Sequence, residues 1–502
     1  MRRLLLLLAL SSLRAASPVN QVFQFMQSGS YSAWVDGATT KATAYLWIPE
    51  KCRRLRGLLV MGSNVPEHML VGHPAIREVC AKNNLGIVWS TPSFWYYKAK
   101  NEDKNVVAFL QQLLDGLART SGYEEVATIP WLPMGESGHL LMVDALVEAA
   151  PERCLAGIWI KNAHLPPKNR TVPALVVYGT AQEWGQDKVD IRQRWNTLTS
   201  YDNVLKQRKA NPDWPLSFVI DGGSGHFDVS ERLVRYFAHY IDQAVKPKRP
   251  KDVVASLPLP NRAEKAIWYF DEWSAKEAQA IAAIDWNAHS QLPAFVSANG
   301  VIAPFDFNGI SSITPQMEPD GITFRLRPVM LDKLPQNFVG AGEPLARAPA
   351  APTLEWLCGP LAPAGDGLFR VALDRTWPHH PIYLAARQQG TNGIRAAVQP
   401  IAIKLARNNE GKTQKIDFQP IADVKSGTAS VPLQARSDAG LPVDFFVVAG
   451  PAIVQDGKLV FTQIPPRAKR PLEVTVAAWQ WGRASEPKMK AAEVVRQSFH
   501  IR

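Results

Sequence analysis

The first half of the chain alternates short, continuously apolar runs with longer segments of helical hydrophobic period. The apolar runs are typical of buried strands and span residues 58–62, 86–90, 128–134, 156–160, 174–179 and 216–220. The segments of helical period span residues 105–120, 140–150, 188–210 and 229–244. Strands and helices in alternation indicate crossover connections, and therefore a mainly parallel sheet with helices on both faces. Since such a sheet is buried on both faces, its strands are continuously apolar. We predict a doubly wound α/β domain over residues 18–246.

This pattern ends at residues 247–262, a basic and proline-rich stretch that is typical of a linker. Beyond it, strand-like runs dominate, and one helix candidate remains at residues 274–283. We therefore predict a β-rich middle module over residues 263–410. From residue 411 onward the strands are shorter, and turn signals recur about every 8–12 residues. This spacing predicts a second all-β module over residues 411–502, a small β-sandwich.

Residues 1–17 have the order of a secretory signal peptide: two arginines, an apolar run over residues 4–10, then small residues. The run is far shorter than the roughly 20 residues that cross a bilayer. We expect cleavage near Ala16 or Ser17, no membrane span, and a periplasmic or secreted mature protein. A buried N-terminal helix or an uncleaved anchor is the alternative. A disulfide between Cys52 and Cys80 is one possible pairing in such a compartment, which the sequence does not fix.

A serine stands between the predicted strand 128–134 and the helix that follows it. Residues 135–139 read Gly-Glu-Ser-Gly-His, and a strained strand-to-helix turn is where a nucleophilic serine is found. Such a turn needs a small flanking residue, which Gly135 supplies. The pattern is weak by itself, because His139 stands where the motif G-x-S-x-G has its last glycine. The alternative is that Ser137 only caps the helix.

The same end of the sheet offers donors for an oxyanion hole. The backbone N–H of Gly138 lies at the start of the predicted helix, and Ser63 and Asn64 follow the strand 58–62. Donors aimed at a developing negative charge stabilise the transition state of acyl transfer. We therefore expect Gly138 and the segment of Ser63 and Asn64 to form the oxyanion hole.

Two further loops complete a catalytic set. Gln182 and Glu183 follow the strand 174–179, and His226 follows the strand 216–220. A serine attacks an acyl carbon only if a base takes its proton and a carboxylate orients that base. With this order, residues 22–246 resemble the α/β-hydrolase family. The resemblance implies that Ser137 is the nucleophile, His226 the general base and Glu183 the acid. The family usually has its aspartate where Gln182 stands, so the nearest candidate for the acid is Glu183, one residue on, and Asp187 is the fallback.

The resemblance implies a serine hydrolase that cleaves an ester, and the predicted signal peptide implies that it is secreted. The modular layout favours a carbohydrate-linked acyl ester, so the expected partner is a small ester or a polysaccharide-linked ester. Trp95 and Tyr96 belong to four consecutive aromatic residues after the strand 86–90, and Trp184 lies beside the proposed acid. We expect these rings to bind substrate, with packing beneath the loop as the alternative. We expect Lys161 to be solvated, or else to contact an acidic substrate. A peptidase on the same fold, or a non-catalytic binding or adhesion protein on a degenerate scaffold, remains open.

No cofactor and no metal site are expected. His379 and His380 have no carboxylates at ligand spacing, and the chain has no phosphate-binding glycine loop or dinucleotide fingerprint. We also expect no nucleic-acid partner, because no basic and aromatic RNA-binding motif is present.

The last 90 or so residues carry a second resemblance. Residues 437–443 read Ser-Asp-Ala-Gly-Leu-Pro-Val, and residues 449–452 read Ala-Gly-Pro-Ala. With these segments, residues 412–502 resemble the bacterial immunoglobulin-like repeat, which implies a module that spaces or attaches a catalytic domain. Trp479 and Trp481 alternate along one predicted strand and so face the same side. We expect them to pack in a core or between domains, with ligand stacking as the alternative.

Composition and charge sharpen this picture only slightly. The chain is 46% hydrophobic and 20% charged, which excludes a mostly disordered chain, a collagen-like fibre and a multi-span membrane protein. The formal net charge is +11. Residues 411–502 hold 13 basic and 8 acidic residues, a net +5. The basic excess therefore predicts contact between this tail and an acidic surface or polymer.

Overall fold

The structure is a computed structural model of the chain. It describes residues 21–32, 39–94, 103–161, 168–179, 203, 206–207, 209–211, 213–221, 224–245, 289–290, 293–297, 300–302, 311–333, 341–344, 350–379, 382–388, 394–395 and 397–502. The predicted signal peptide, the linker, the helix candidate 274–283 and most of the predicted helix 188–210 lie outside these residues.

An eight-stranded sheet organises the first part of the chain. Its strands are β1 (Phe25–Ser32), β2 (Thr39–Trp47), β3 (Gly57–Met61), β4 (Leu85–Thr91), β5 (Trp131–Glu136), β6 (Gly157–Ile160), β7 (Ala174–Gly179) and β8 (Leu216–Asp221). The strand order is β1-β2-β4-β3-β5-β6-β7-β8. The pairs β1–β2 and β2–β4 are antiparallel, and every pair from β4 to β8 is parallel. The predicted mainly parallel α/β sheet is confirmed.

Helices cover both faces of this sheet. They are α1 (Val65–Val71), α2 (Pro74–Lys82), α3 (Asp103–Ser121), α4 (Leu140–Ala149) and α5 (Glu231–Val245). Leu58 and Val60 of β3 belong to the core beneath α3 and α4. Leu59 and Met61 belong to the opposite core, beneath α2 and α5. Because successive side chains of a strand point to opposite faces, both cores draw on the same apolar run.

The sequence pattern misplaced β5 and missed four elements. A short 3-10 helix at Glu124–Ala127 precedes β5, so the strand begins at Trp131 and not at residue 128. It then continues through Gly135 and Glu136, which the sequence placed in a turn. The hairpin β1–β2 and the short helices α1 and α2 were not predicted. Helices of seven and nine residues show too few turns for a clear hydrophobic period.

The later part of the chain is all-β in the residues that the structure describes. The strands up to residue 403 are β9 (His289–Ser290), β10 (Pro293–Ser297), β11 (Gly300–Ile302), β12 (Ser311–Ile313), β13 (Thr323–Arg325), β14 (Arg327–Met330), β15 (Thr353–Cys358), β16 (Leu361–Gly365), β17 (Leu368–Val371), β18 (Ile382–Gln388), β19 (Ile394–Arg395) and β20 (Ala397–Ile403). The largest of their sheets has the order β12-β20-β18-β15. The β-rich character predicted here is confirmed, whereas the module boundaries stay a prediction.

Residues 411–502 form three small sheets. Their strands are β21 (Ile416–Phe418), β22 (Ser430–Pro432), β23 (Ala435–Ser437), β24 (Asp444–Ala449), β25 (Ala452–Gln455), β26 (Lys458–Phe461), β27 (Leu472–Trp479) and β28 (Val495–Ile501). The sheet orders are β21-β23, β22-β26-β25 and β24-β27-β28. The immunoglobulin-like identity of this region stays a prediction.

The tail packs against both earlier parts of the chain. Trp479 and Trp481 are buried in one cluster with Val371 and Leu373, so these two rings pack between the middle and last regions. On another side, the Arg467 guanidinium lies 3.2 Å from the Glu125 carboxylate beside α3. The tail therefore shares apolar and polar contacts with the rest of the molecule.

All four cysteines lie in the described residues, and all are buried free thiols. A disulfide between Cys52 and Cys80 is wrong, because Cys52 belongs to the core beneath α3 and Cys80 to the core on the opposite face of the sheet. Among the helices that the structure describes, none is both long and apolar enough to span a membrane.

Candidate active site

Ser137 occupies a sharp turn at the end of the central strand β5. The strand ends at Glu136, Ser137 has a φ of 51°, and a 3-10 turn over Ser137–His139 leads into α4. A positive φ is uncommon for a residue with a side chain. The turn folds back so closely that a Cβ on Gly135 would lie 2.7 Å from the carbonyl oxygen of His139. Glycine at position 135 is therefore what allows the elbow at Ser137.

The structure brings His226 to this serine. His226 follows β8, and its Nε2 lies 2.9 Å from Oγ of Ser137. The two residues are 89 positions apart in the chain and meet because both follow strands that end at the same edge of the sheet. The His226 side chain is 18% exposed, so solvent and a substrate can reach it. This separation is the hydrogen-bond reach that proton transfer from serine to histidine requires.

A buried carboxylate, which the sequence reasoning missed, lies beside this pair. Glu136 is 0% exposed, and its Oε1 lies 3.2 Å from Nε2 of His226. The side-chain amide of Asn64 donates to its other oxygen, Oε2. A buried charge is costly unless it is paired. A glutamate at the end of an otherwise buried strand was the sequence signal for such a partner.

The His139 side chain contacts a buried glutamate of α1. Its Nδ1 lies 3.2 Å from Oε1 of Glu67, a fully buried residue of α1 that also accepts from the backbone N–H of Glu136 at 3.0 Å. A Cβ on Gly62 would lie 2.7 Å from His139 Nδ1. The imidazole therefore fills space beside the loop after β3, where the motif's last glycine would leave a gap.

The predicted oxyanion donors belong to two segments, the turn after β5 and the segment between β3 and α1. Gly138 follows the serine directly, and Ser63 and Asn64 lie between β3 and α1. Asn64 is the N-cap of α1, and its side chain is turned toward Glu136. Side-chain donation from Asn64 thus goes to a carboxylate, which leaves backbone N–H groups for an oxyanion. The assignment of these donors stays a prediction.

Lys161 has a different place from the one expected. It follows β6 with a φ of 53°, is 0% exposed, and its Nζ donates to Oγ of Ser224 at 2.8 Å. The same ammonium donates to the carbonyl oxygens of Gly225 and Asp228. The expectation of a solvated lysine is wrong, because the loop that carries His226 folds around this side chain. Its partners come from a distant loop, which the local sequence of β6 does not reveal.

Several predicted site residues lie outside the described part of the chain. They are the acid Glu183, its fallback Asp187, and the aromatic residues Trp95, Tyr96 and Trp184. Phe94, the first of the four consecutive aromatic residues, is described. It is 1% exposed and packs edge-on against Phe109 at a centroid distance of 5.5 Å. At least this ring of the four serves packing.

Within the described ranges, no group of three or more His, Cys, Asp or Glu side chains is suited to holding a metal ion. A half-buried serine on a strained turn, a histidine within hydrogen-bond reach and a buried carboxylate beside that histidine suit nucleophilic attack with proton transfer.

No protein-family model matches the chain, and no curated protein matches it. Solved structures resemble its first part. A predicted CIB-like hydrolase from Thermoplasma acidophilum is 15% identical, covers 44% of this chain and 100% of its own, and has a TM-score of 0.29. An S-formylglutathione hydrolase from Agrobacterium tumefaciens is 12% identical over 44% of this chain and 95% of its own, with a TM-score of 0.29. A bacterial heroin esterase is 11% identical over 44% and 84%, with a TM-score of 0.31. The chain's own sheet order shows its fold, and the positions of Ser137, His226 and Glu136 define its candidate site.

Proposed function

We propose that the chain is a serine hydrolase that cleaves an ester. The observation that carries this proposal is the 2.9 Å separation of Ser137 Oγ and His226 Nε2 at an elbow where Ser137 has a φ of 51°. The serine follows a central strand, and the histidine follows the last strand of the same sheet. Strain at a serine that also contacts a histidine is typical of a nucleophile.

The reaction follows from these positions. His226 Nε2 takes the proton of Ser137 as Oγ attacks the ester carbonyl carbon, and the backbone near Gly138 and Ser63 stabilises the oxyanion. The imidazolium then gives its proton to the departing alcohol. Water attacks the acyl-serine with His226 again as base, which releases the acid. Glu183, with Asp187 as fallback, orients His226 in this proposal.

Glu136 adds an electrostatic contribution to the same step. Its buried carboxylate lies 3.2 Å from the nitrogen that becomes protonated. Glu136 therefore favours the imidazolium that forms in the transition state.

A fluorophosphonate probe on the full-length chain tests the nucleophile. We expect wild type to be labelled, Ser137→Ala to be unlabelled, and His226→Ala to be labelled much more slowly. Ser426→Ala is the matched control, since this exposed hydroxyl lies in the tail and accepts a hydrogen bond from Nη2 of Arg470 at 3.0 Å. Equal labelling of Ser137→Ala and wild type contradicts the assignment. An unlabelled wild type favours a non-catalytic binding protein.

The substrate is proposed as a carbohydrate-linked acyl ester. Support comes from the modular layout and from Trp95, Tyr96 and Trp184, whose rings are suited to stacking on a sugar. The test compares kcat/KM for an acetylated oligosaccharide, p-nitrophenyl acetate and a peptide. A higher value for the sugar ester, lowered selectively in Trp95→Ala, supports the proposal. No preference for the sugar ester contradicts it, and cleavage of the peptide favours a peptidase.

The remaining proposals concern the ends of the chain. Residues 1–17 direct export to the periplasm or the medium, which fractionation of cells and N-terminal sequencing of the mature protein check. The basic tail contacts an acidic surface or polymer, and its net charge of +5 supports this. Replacing the exposed Lys425 and Lys458 by glutamate is expected to weaken salt-sensitive binding to an acidic polysaccharide. Unchanged binding contradicts the proposed contact.

A further inference from the structure

The loop that carries His226 is held from the middle region of the chain as well as from its own sheet. Arg387, at the end of β18, donates through Nη2 to Oδ2 of Asp228. Asp228 is 2% exposed, and its other oxygen, Oδ1, accepts from the backbone N–H of Gly225 at 2.6 Å. The Asp228 carboxylate therefore links the Arg387 guanidinium to the residue directly before His226.

An aromatic contact runs beside this ion pair. The Phe227 ring stacks on Tyr383 of β18, with centroids 5.8 Å apart and planes at 20°. The same Phe227 ring lies edge-on to the His226 imidazole at 4.5 Å. Both neighbours of His226 in the chain are thus tied to β18, Gly225 through Asp228 and Phe227 through Tyr383.

The guanidinium of Arg387 lies between two carboxylates. Arg387 also lies 3.1 Å from Glu355 on the neighbouring strand β15, and the side chains of Arg387 and Asp228 are 20% and 3% exposed. Burial acts to lower the pKa of Arg387, but Asp228 and Glu355 together raise it above its ordinary value. The guanidinium is therefore charged at any ordinary pH, and it is shared between an acid on the loop and an acid on its own sheet.

We propose that Arg387 is a positioning residue for the proposed hydrolase reaction: through Asp228 it fixes the loop that keeps His226 within reach of Ser137. The middle β region then contributes to the rate of the first domain and is more than a spacer. This inference rests on the proposed function for its kinetic consequence. Its structural consequence, a loop fixed from β18, does not.

The experiment uses the full-length chain and the variants Arg387→Gln, Arg387→Lys and Glu355→Gln. Glu355→Gln is the matched control, because it removes the other carboxylate from the same guanidinium without touching the loop. We measure kcat and KM on a p-nitrophenyl ester, the fluorophosphonate labelling rate, the unfolding temperature and hydrogen exchange in the peptide covering residues 224–228.

For Arg387→Gln we expect kcat and the labelling rate to fall about 10- to 100-fold with KM within about twofold, because misplacement of a catalytic group lowers the rate of the chemical step. Arg387→Lys keeps a cation and should recover part of this loss. Glu355→Gln should stay within about threefold of wild type. Hydrogen exchange in the loop should rise in Arg387→Gln and not in Glu355→Gln.

Three results overturn the proposal. One is unchanged hydrogen exchange in the loop of Arg387→Gln. Another is a loss of kcat and labelling rate that is equally large in Glu355→Gln. The third is a loss that the lowered unfolding temperature of Arg387→Gln explains by itself. Failure of the proposed function looks different: wild type is then unlabelled, while the exchange measurement still decides whether Arg387 fixes the loop.

Discussion

Replacing Gly135 by alanine adds one methyl group at the tightest point of the elbow. The new Cβ would lie 2.7 Å from the carbonyl oxygen of His139, 3.0 Å from its carbonyl carbon and 3.0 Å from Cγ2 of Val143. Ordinary contact begins at 3.4 Å, so the His139 carbonyl must retreat by about 0.7 Å, the difference between 3.4 and 2.7 Å. Two of the three atoms belong to the backbone, which cannot rotate away as a side chain would.

The expected cost follows from this displacement. Overpacking of a filled site destabilises a protein by about 1–3 kcal/mol. The displaced carbonyl belongs to the same short turn as Ser137, so the shift reaches the proposed nucleophile. Since a misplacement of about 1 Å lowers a rate by as much as 100-fold, we expect fluorophosphonate labelling to slow about 10- to 100-fold.

Gly57→Ala provides the control for this measurement. Gly57 opens β3 at the opposite edge of the sheet, and its Cβ would meet Leu85 Cδ2 at 3.1 Å and Leu155 Cδ1 at 3.3 Å, besides one backbone oxygen at 3.2 Å. We expect a smaller stability loss in urea unfolding and an unchanged labelling rate. If Gly135→Ala is labelled as fast as wild type and unfolds at the same urea concentration, the reasoning about the elbow is wrong.

Three further predictions concern buried groups. Glu136→Gln should lower kcat about 10- to 100-fold with little change in KM, because the carboxylate that favours the His226 imidazolium is lost; an unchanged kcat refutes this role. Lys161→Met should lower the free energy of unfolding by roughly 3 kcal/mol, because carbonyl oxygens buried around the ammonium lose their donor. Urea unfolding checks this prediction, and a loss below about 1 kcal/mol argues against it. Burial raises the pKa of the Cys52 thiol to about 11 and that of Cys80 to about 12. A thiol reagent at pH 8 should therefore modify neither thiol in the folded chain and both in denaturant. Fast modification of the folded protein contradicts the buried positions.

The main elements of the first sheet were predictable, because continuous apolar runs record burial on two faces. Strand β7 has the predicted bounds, β8 differs from prediction by one residue at one end, and β3 and β4 differ by one residue at each end. The hairpin β1–β2 was missed because β1 is only partly buried, which leaves no continuous apolar run. Strand β5 was misplaced at both ends. Its start lies at Trp131, after a short 3-10 helix, and Gly135 and Glu136 at its end had the sequence pattern of a turn.

Some residues of the candidate site were likewise predictable from the sequence, and others were not. Ser137 and His226 were identifiable because each sits in a recognisable local context after an apolar run. Glu136, Lys161 and Arg387 were not, because their significance depends on partners that lie far away in the chain. Lys161 meets the loop at Ser224 across 63 positions, and Arg387 meets Asp228 across 159. Glu183 and the aromatic residues Trp95, Tyr96 and Trp184 stay predictions.

The sequence by itself determined the periodicity of the chain, and with it a parallel sheet followed by β-rich regions and a serine and a histidine at the ends of two of its strands. The hydrophobic period is a property of residues close together in the chain, so it can be recognised from the amino-acid sequence alone. Only the tertiary structure decided which charges are buried and what they contact, because a carboxylate or an ammonium leaves water only where distant groups replace its hydrogen bonds. That is why Lys161, which was expected in solvent, is buried by the loop that carries His226, and why Arg387 of the middle region contacts the same loop.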